Sequence, residues 1–489
     1  MPDLYHYLMT QHSGLGSSAS ALIAVLVACG VAVGVVLFVV GLSTYVERKV
    51  AADIQRRIGP NQCNIGPFFG ELLRVIVRNG SDPRADALAR AMAAACKPLL
   101  PLLDALDKVL SRLAPGVLIF MADGLKLILK EDIIPDAADK RLFRIAPYIV
   151  MASALGGLAV LPFSDAVYVA DFNIGIFYVA AITSLEVLGF LMAGWASNNK
   201  WALLGGMRSA AQIVSYEVPV GLAIATAVLI SGTMTMQGIT YAQLSLRPDF
   251  NWHNQGWLWQ WNVFHPAMFL LAPAYFLAAL AECNRTPFDI PEAESELVAG
   301  FHTEYSGMRF SLFFMAEYAM MIVTSAVAVT LFLGGWSTGI GPLEWALMAK
   351  GPSFDAGVMT APPVYAWYGT LLHLLAFAVK TYALIFLMMW IRWTLPRFRV
   401  DQMMALCWKK LIPISLVCLL CAATWMVVRM MLAGQLGAAT LEHITFWLRA
   451  AFALGVVAWL VWYFRRPITP WEVAAQEEVI AQAGTGSLP

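Results

Sequence analysis

Charged residues are scarce in this chain of 489 residues, of which 13% are Asp, Glu, Lys or Arg and 60% are hydrophobic. A water-soluble globular protein has about 25% charged and about 45–50% apolar residues. The apolar residues therefore outnumber the positions at which a water-exposed fold could bury them, which excludes a soluble protein. With 32 basic and 32 acidic residues the net charge is zero, so it gives no reason to expect a nucleic acid or an acidic partner.

Motifs for metal, nucleotide or nucleophilic chemistry are also missing. Among the seven cysteines the only close pair is Cys418 and Cys421, which lies in an apolar stretch without a nearby histidine, and we interpret both as small apolar residues. The spacing of glycine and histidine forms no phosphate-binding loop, zinc site or catalytic triad. We therefore expect no metal and no bound redox centre in this chain.

Long apolar stretches are what the chain has instead. A helix of about 20 apolar residues crosses the ~30 Å hydrocarbon core of a bilayer, and helices satisfy their own backbone hydrogen bonds in lipid. The sequence predicts an all-α, polytopic membrane protein of nine transmembrane helices. The predicted spans lie near residues 19–46, 145–163, 172–195, 210–231, 264–281, 310–333, 364–391, 411–432 and 446–463.

The distribution of Lys and Arg predicts the orientation. Of the 32 basic residues, 27 lie in connections on one side, which the positive-inside rule assigns to the cytoplasm. The amino terminus is then outside and the carboxyl terminus inside. The predicted segments are helix one (1–46), a cytoplasmic connection (47–144), helices two to five (145–281), an acidic cytoplasmic loop (282–309), helices six and seven (310–391), a cytoplasmic loop with helices eight and nine (392–463) and a cytoplasmic tail (464–489).

The long cytoplasmic connection contains amphipathic patterns. Between residues 87 and 113 polar residues recur every three or four positions and leucines occupy the other face, which is typical of a helix on a membrane surface or against a partner. Pro98 and Pro101 are expected to interrupt the start of this helix. Residues 122–130 repeat the pattern.

Ionisable residues inside predicted spans include Glu186, Glu217, Glu317, His373 and Lys380. An ionised side chain at mid-membrane costs about 2.5–3.5 kcal/mol, so these groups must be neutral, paired or beside a hydrated cavity. A buried carboxyl that exists in both protonation states near neutral pH is a natural proton carrier. The alternative is a purely structural pair between a glutamate and the lysine.

The predicted loop 282–309 is acidic although a cytoplasmic loop is expected to be basic. Its acidic residues outnumber Arg285 and Arg309 by four. A solvated acidic surface would explain this composition, but proline, phenylalanine and isoleucine alternate with the charges and predict a packed loop with crowded carboxylates. The acidic residues are Glu282, Asp289, Glu292, Glu294, Glu296 and Glu304.

Several long motifs resemble those of one family, the H subunits of the NADH:quinone oxidoreductase (respiratory complex I), whose mitochondrial counterpart is NADH dehydrogenase subunit 1. The motifs follow one another in the family's order from residue 47 to about residue 390. They are ERK at 47–49, QRRIGPN at 55–61, ADGLK at 122–126, KE at 130–131, AECNRTPFD at 281–289, PEAESELV at 291–298 and TEYSG at 303–307.

The resemblance implies a multi-pass subunit of the bacterial cytoplasmic (inner) membrane at the joint between the redox arm and the proton-pumping arm. Such a subunit walls much of the chamber that a quinone, ubiquinone or menaquinone, enters as substrate. Neighbouring soluble subunits would supply the terminal iron–sulfur cluster and the headgroup ligands, and adjacent membrane subunits and lipid would complete the partners. By matching motifs, Lys49, Arg57, Asp123 and Arg285 would lie near the quinone chamber. Proton coupling would involve Glu186, Glu217, Glu282, Arg285, Asp289, Glu292, Glu294, Glu296, Glu304 and Glu317.

The chain departs from the family pattern in its insertions. About 45 extra residues separate Gly66-Pro67-Phe68 from the ADGLK motif, and we interpret residues 71–121 as an amphipathic insertion toward an accessory subunit or lipid. The loops 232–263 and 334–363 are also long, and Trp252, Trp257, Trp259 and Trp261 in the first favour an interfacial segment.

Two other functions fit part of the sequence. One is the related membrane subunit of a membrane-bound hydrogenase or of a deazaflavin-dependent dehydrogenase. The other is a stand-alone ion antiporter, which is expected to show an inverted repeat with broken helices, and none is evident in the sequence.

Overall fold

The computed structural model describes residues 17–60, 116, 119–244, 256–291, 294–350, 353–355, 358–361, 363–436 and 438–465. Several predictions lie outside these residues: the amphipathic helix 87–113, nearly all of the insertion 71–121, Trp252, Glu292 and the tail from residue 466 onward. Within the described residues, every one of the nine predicted spans coincides with a helix or a closely spaced helix pair.

The long helices confirm the all-α polytopic membrane fold. By length and composition, five stretches of the described residues could each cross a membrane: Gly175–Ala196, Lys200–Ser231, Gly307–Phe332, Trp367–Thr394 and Val400–Leu432. The helices are α1 (Ser17–Ile54), α2 (Ile119–Leu129), α3 (Lys140–Leu158), α4 (Gly175–Thr183), α5 (Leu185–Ala196), α6 (Lys200–Ser231), α7 (Met236–Leu244), α8 (Pro266–Glu282), α9 (Glu294–Leu297), α10 (Gly307–Phe332), α11 (Gly341–Leu347), α12 (Trp367–Thr394), α13 (Val400–Leu406), α14 (Ile412–Leu436) and α15 (Ala438–Arg465). Single turns of 3₁₀ helix lie at Leu258–Gln260, Asn262–Phe264 and Gly300–His302, and a π turn, Cys407–Leu411, joins α13 to α14.

Two helices extend well beyond the predicted spans. Helix α1 continues to Ile54, past the predicted boundary at residue 46, because the first strong helix breakers after the span are Gly59 and Pro60. Helix α6 begins at Lys200, ten residues before the predicted span, and the Asn199 side chain caps it by accepting a hydrogen bond from the Trp201 backbone N–H. Helix α6 ends where Gly232 adopts a left-handed conformation.

The core lies where α3, α5, α6, α8 and α10 pack together. Helix α10 is at its centre, since 83% of the residues in an apolar 18-residue stretch of this helix are buried. Small residues bring α5 and α6 into backbone contact: a Cβ atom on Gly194 would lie 2.7 Å from the Ala202 carbonyl oxygen. Close approach of this kind drives helix association where lipid removes the hydrophobic force between helices.

The connection between α10 and α12 is not a plain loop. It contains α11 and four short strands, β1 (Met348–Lys350), β2 (Ser353–Asp355), β3 (Val358–Ala361) and β4 (Val364–Tyr365). Strand β1 pairs with β4 and β2 pairs with β3, both antiparallel. The predicted long loop 334–363 is therefore largely ordered into short elements, with α11 beside the start of α12.

Candidate functional site

A cavity of about 1070 Å³ opens between α1, α2, α10 and the end of α12. Its walls are mainly apolar, and they include Leu37, Phe38, Ile119, Phe120, Phe310 and Phe314. Charged and hydroxyl groups also line it, and they include Glu47, Arg48, Arg57, Asp123, Tyr318 and Arg392. Such a cavity suits an apolar ligand with a polar headgroup.

Glu47 lies between the cavity and the protein interior and accepts several hydrogen bonds. It lies in the part of α1 beyond the predicted span and is only 5% exposed. Its carboxylate accepts hydrogen bonds from the Tyr318 hydroxyl at 2.6 Å, from the Arg285 guanidinium at 3.4 Å and from the Arg392 guanidinium. Donors from three other segments therefore converge on one buried carboxylate, as a buried charge requires.

Arg285 connects Glu47 to the next carboxylate. Its side chain is 4% exposed and its guanidinium lies 3.9 Å from the Glu317 carboxylate and 4.2 Å from the centre of the Tyr318 ring. Burial by itself lowers the pKa of Arg285, but the interactions with Tyr318, Glu47 and Glu317 outweigh burial and raise that pKa. Arg285 is therefore a fixed cation between two buried carboxylates.

Glu317 lies in the first half of α10 and is 3% exposed. The His302 imidazole Nε2 approaches its carboxylate at 3.7 Å. The ring of His302 also contacts aromatic side chains, with Phe301 at a centroid distance of 4.0 Å and Phe313 at 5.2 Å. His302 is thus held by aromatic side chains with one imidazole nitrogen directed toward Glu317.

The remaining intramembrane glutamates continue from Glu317. Glu186 on α5 is 2% exposed, and its charge interacts with those of Glu317 and Glu282. Glu282 in turn interacts with Glu217. These four carboxyls, which we call the buried carboxylate group, come from four helices: α5, α6, α8 and α10. Glu186 and Glu317 are buried, and Glu217 and Glu282 are half-buried. The structure thus brings together the three glutamates of the predicted spans and the first one of the acidic loop.

The acidic loop is packed, as predicted. Phe288 has no exposed surface, Ile290 is 3% exposed, and the Gln212 amide on α6 donates to the Phe288 carbonyl at 2.8 Å. The Gln212 amide also donates to the Ala281 carbonyl at 2.7 Å. One side-chain amide thereby fixes the loop to helix α6.

Three other predicted carboxylates of this loop bind separate partners at its edge. Asp289 pairs with Arg397 at 3.0 Å, Glu296 pairs with Arg208 at 2.6 Å, and Glu304 accepts from the Asn199 amide at 2.8 Å. These three tie the loop to neighbouring segments and lie apart from the buried carboxylate group. Glu294 begins the short helix α9.

The predicted chamber residues divide into two sets. Arg57 and Asp123 line the cavity, and Asp123 pairs with Arg48 at 2.7 Å. Lys49 is not among the lining residues. Its ammonium lies 5.9 Å from the centre of the Tyr45 ring. Arg285 is not among the lining residues, but it contacts two of them, Glu47 and Tyr318.

Residues of this site that sequence reasoning missed include Glu47, His302, Tyr318 and Arg392. Two of them had a visible signal, since Glu47 begins a motif of the resemblance and Arg392 directly follows a predicted span. Tyr318 and His302 had none, because an aromatic residue in an apolar helix and a lone histidine in a loop are ordinary features.

Lys380 and His373 form no part of this site. The Lys380 ammonium donates to the carbonyl oxygens of Leu333, Gly335 and Ser337. The alternative of a structural pair between this lysine and one of the three intramembrane glutamates is therefore wrong. His373 bridges Asp165 and Glu344. Among the residues that the structure describes, no group of three or more His, Cys, Asp or Glu side chains could hold a metal ion.

Comparison with known proteins assigns the sequence to a family. The sequence fits the family described as NADH dehydrogenase over residues 106–423. It is 48% identical over 316 residues to the NADH-quinone oxidoreductase H subunit of Anaeromyxobacter dehalogenans, which covers 64% of this chain and 72% of the relative. It is also 37% identical over 470 residues to the H subunit numbered 1 of Koribacter versatilis, covering 87% of this chain and 96% of the relative. The H subunit numbered 2 of Cytophaga hutchinsonii is 38% identical over 422 residues, covering 80% of this chain and 98% of the relative.

Proposed function

The chain belongs to the NADH dehydrogenase family, together with the H subunits of NADH-quinone oxidoreductases, and on this basis we propose its role in a respiratory complex I. It is a membrane subunit of the bacterial cytoplasmic membrane that walls the quinone chamber and couples quinone reduction to proton movement. Electrons reach the quinone from the iron–sulfur cluster of a soluble partner subunit. Quinone is the substrate, and the chain contributes positioning and charge.

One observation carries this proposal: Glu47 faces the cavity and also binds the cation that faces the buried carboxylate group. A quinone in the cavity would lie beside Glu47, Tyr318 and Arg392. Reduction to quinol consumes two electrons and two protons, so it changes the charge and the hydrogen-bond demand at this wall. Charges act strongly on one another where water is excluded, and Arg285 passes such a change from Glu47 toward Glu317.

The buried carboxylate group supplies the proton side of the coupling. Glu186 interacts electrostatically with both Glu282 and Glu317, so protonation of one favours ionisation of its neighbours. A shift in the position of the Arg285 charge then redistributes protons within the group. The acidic loop, with Arg208, Arg397 and Asn199 at its edge, fixes the group's inner end and offers charged residues to soluble partner subunits.

A cavity-filling substitution tests whether quinone uses this cavity. Gly124 lines it, and a Cβ atom there would have no atom within 4 Å, so Gly124→Leu should fill space without disturbing the fold. In the assembled complex we expect at least a tenfold rise in KM for quinone. Reduction of a water-soluble electron acceptor by the partner subunits should stay unchanged.

The matched control is Gly221→Leu. Gly221 is also helical with open space around its missing Cβ, but it is exposed on α6 and does not line the cavity. Equal effects of the two substitutions on KM, or no effect of Gly124→Leu, would overturn the assignment of the cavity.

A second experiment tests coupling. Replacing Glu217 with Gln, or Glu186 with Gln, should impair proton translocation coupled to quinone reduction while the complex still assembles. Full coupled activity in both variants would remove the carboxylates from the mechanism. The soluble proteins that co-purify with the chain decide between the quinone enzyme and its hydrogenase-like relatives, because a nickel-binding partner would contradict the proposal.

A further inference from the structure

A second charged cluster lies at the end of the molecule opposite the cavity. Helix α12 carries Arg392, the partner of Glu47, near its last turn and His373 near its first. The separation of 19 positions between them corresponds to about 28 Å at 1.5 Å per residue, close to the ~30 Å hydrocarbon thickness of a bilayer. We call Asp165, Glu344, His373 and Lys380 the distal cluster.

The imidazole of His373 bridges two carboxylates. Its Nδ1 lies 3.2 Å from the Asp165 carboxylate and its Nε2 lies 3.1 Å from the Glu344 carboxylate, and the ring has no exposed surface. A neutral imidazole carries one N–H and can donate to only one of these acceptors. The geometry therefore requires one proton more than a neutral ring with two carboxylates would hold.

The surrounding donors place this extra proton on the ring. Glu344 also accepts from the Ser337 hydroxyl at 3.2 Å, from the Thr338 hydroxyl at 2.7 Å and from the Thr338 backbone N–H. Burial raises the pKa of the Glu344 carboxyl, but the bonds from His373 and Thr338 outweigh burial and hold that pKa below its ordinary value. Glu344 is therefore ionised near neutral pH.

Asp165 follows the same pattern. Its carboxylate accepts from the Ser164 hydroxyl at 2.6 Å and from the Thr370 hydroxyl at 3.2 Å. Burial raises its pKa, and the hydrogen bonds from His373 and Ser164 again outweigh burial and lower it. Two ionised carboxylates on either side of one ring favour an imidazolium.

Lys380 supplies a second cation, because the three carbonyl acceptors around its nitrogen call for the three N–H groups of an ammonium. Its ammonium donates to three carbonyl oxygens at 2.6–3.0 Å and lies 4.0 Å from the centre of the Trp261 ring. All three N–H groups are thus satisfied, and the two cations of the distal cluster balance its two carboxylates. The other titratable or aromatic groups near the cluster are Trp336, Tyr365, Tyr241, Tyr168 and Asp171.

We propose that Asp165, His373 and Glu344 form a one-proton binding site that exchanges its proton with water on the face opposite the cavity. Asp165 is the exit, because its side chain is 7% exposed, against 2% for Glu344 and none for His373, and because the neighbouring Ala166 is exposed. The proton passes from His373 Nδ1 to Asp165 and then to water, leaving a neutral imidazole. The use of this site in translocation rests on the function proposed above, whereas its existence as a proton site does not.

The proton site is tested directly by infrared spectroscopy of the assembled complex with ring-labelled histidine. The wild-type spectrum minus that of His373→Gln should show an imidazolium at neutral pH. His265→Gln is the matched control: His265 is also buried, its Nδ1 has no hydrogen-bond partner among the described residues, and Arg449 and Arg429 lie near it. The wild-type spectrum minus that of His265→Gln should show a neutral imidazole ring. A neutral ring for His373 would overturn the proposal.

Exchange with the distal face is tested in sealed vesicles whose lumen contacts that face. Lumenal pH is varied from about 6 to about 8, the range in which histidine commonly titrates, at constant external pH. Wild-type and His265→Gln turnover should fall at least threefold as the lumen is acidified, and His373→Gln should lose most of this response. An undiminished response in His373→Gln would overturn the exchange role, as would a wild-type rate that ignores lumenal pH.

The two measurements separate failure of this site from failure of the proposed function. If the chain had no coupling role, the imidazolium would still be seen, but turnover would not respond to lumenal pH in the wild type or in any variant. If His373→Gln did not assemble, the paired substitution Asp165→Asn with Glu344→Gln keeps the ring and removes both anions. The imidazolium should then be absent at neutral pH, and its persistence would contradict the proposal.

Discussion

Neutralising Glu47 is the sharpest test of the inner site. In Glu47→Gln the Arg285 guanidinium stays buried and, among the residues that the structure describes, keeps only Glu317, at 3.9 Å, as an ionic partner. At an effective dielectric constant of about 20, the attraction across the 3.4 Å contact of Arg285 with Glu47 is about 5 kcal/mol before desolvation is subtracted. Removing one member of a buried ion pair costs about 3–5 kcal/mol overall.

We therefore expect Glu47→Gln to lower the midpoint of thermal inactivation of the assembled complex by about 5 °C or more. Quinone reduction should fall about tenfold, which corresponds to a rise of about 1.4 kcal/mol in activation free energy. The matched control is Asp53→Asn, which removes the same charge from the same helix at an exposed position outside the cavity lining. It should change stability by less than about 0.5 kcal/mol.

A double substitution checks the cause. If the cost of Glu47→Gln arises from the unpaired cation, then Glu47→Gln with Arg285→Gln should be less damaging than the sum of the single effects by about 1–3 kcal/mol. Additive losses would show that the two side chains do not act as a pair. Equal behaviour of Glu47→Gln and Asp53→Asn would refute the reasoning altogether.

Three further predictions concern single contacts. Tyr318→Phe keeps the ring but removes the 2.6 Å hydrogen bond to Glu47, so thermal inactivation should show a loss of about 1.5–3 kcal/mol, and an unchanged midpoint would contradict the bond. The pKa of Glu344 is held below its ordinary value of 4.5 because hydrogen bonds outweigh the effect of burial, so its stabilisation is present above that pH and lost as the pH falls further. Thermal inactivation measured over a series of pH values should show that the loss of stability at acid pH is smaller in Glu344→Gln than in the wild type. Gly335 has a positive φ, and a Cβ atom there would lie 2.4 Å from the Thr240 hydroxyl, so Gly335→Ala should cost about 2 kcal/mol, and Thr240→Ala should restore part of it.

The inner and distal sites share helix α12, and this arrangement explains the placement of its charges. Arg392 lies near one end against Glu47, and His373 lies toward the other end. Lys380 lies in the middle of the helix, where three carbonyl oxygens accept its hydrogen bonds. The segment between Lys380 and Arg392 is apolar apart from Thr381 and Tyr382. Charges on a membrane helix cost least near its ends, where water, loops or buried partners can satisfy them.

The sequence by itself determined the solvent, the fold class and the positions of the spans. These properties are local, because each helix in lipid must satisfy its own backbone and present enough apolar side chains. For the same reason Glu186, Glu217 and Glu317 could be recognised as costly residues from the apolar stretches that surround them. The boundaries of α1 and α6 were less predictable, because helix continues beyond the lipid wherever no breaker stops it.

Only the tertiary structure decided which charges meet. Glu47 and Arg285 are 238 residues apart, Glu47 and Arg392 are 345 apart, and His373 and Asp165 are 208 apart. Partners that come from separate helices leave no periodic signal in the chain, and each residue alone resembles an ordinary charge at a helix end. Their roles arise from the packing of α1, α10 and α12, which removes water and leaves every buried charge dependent on a distant partner.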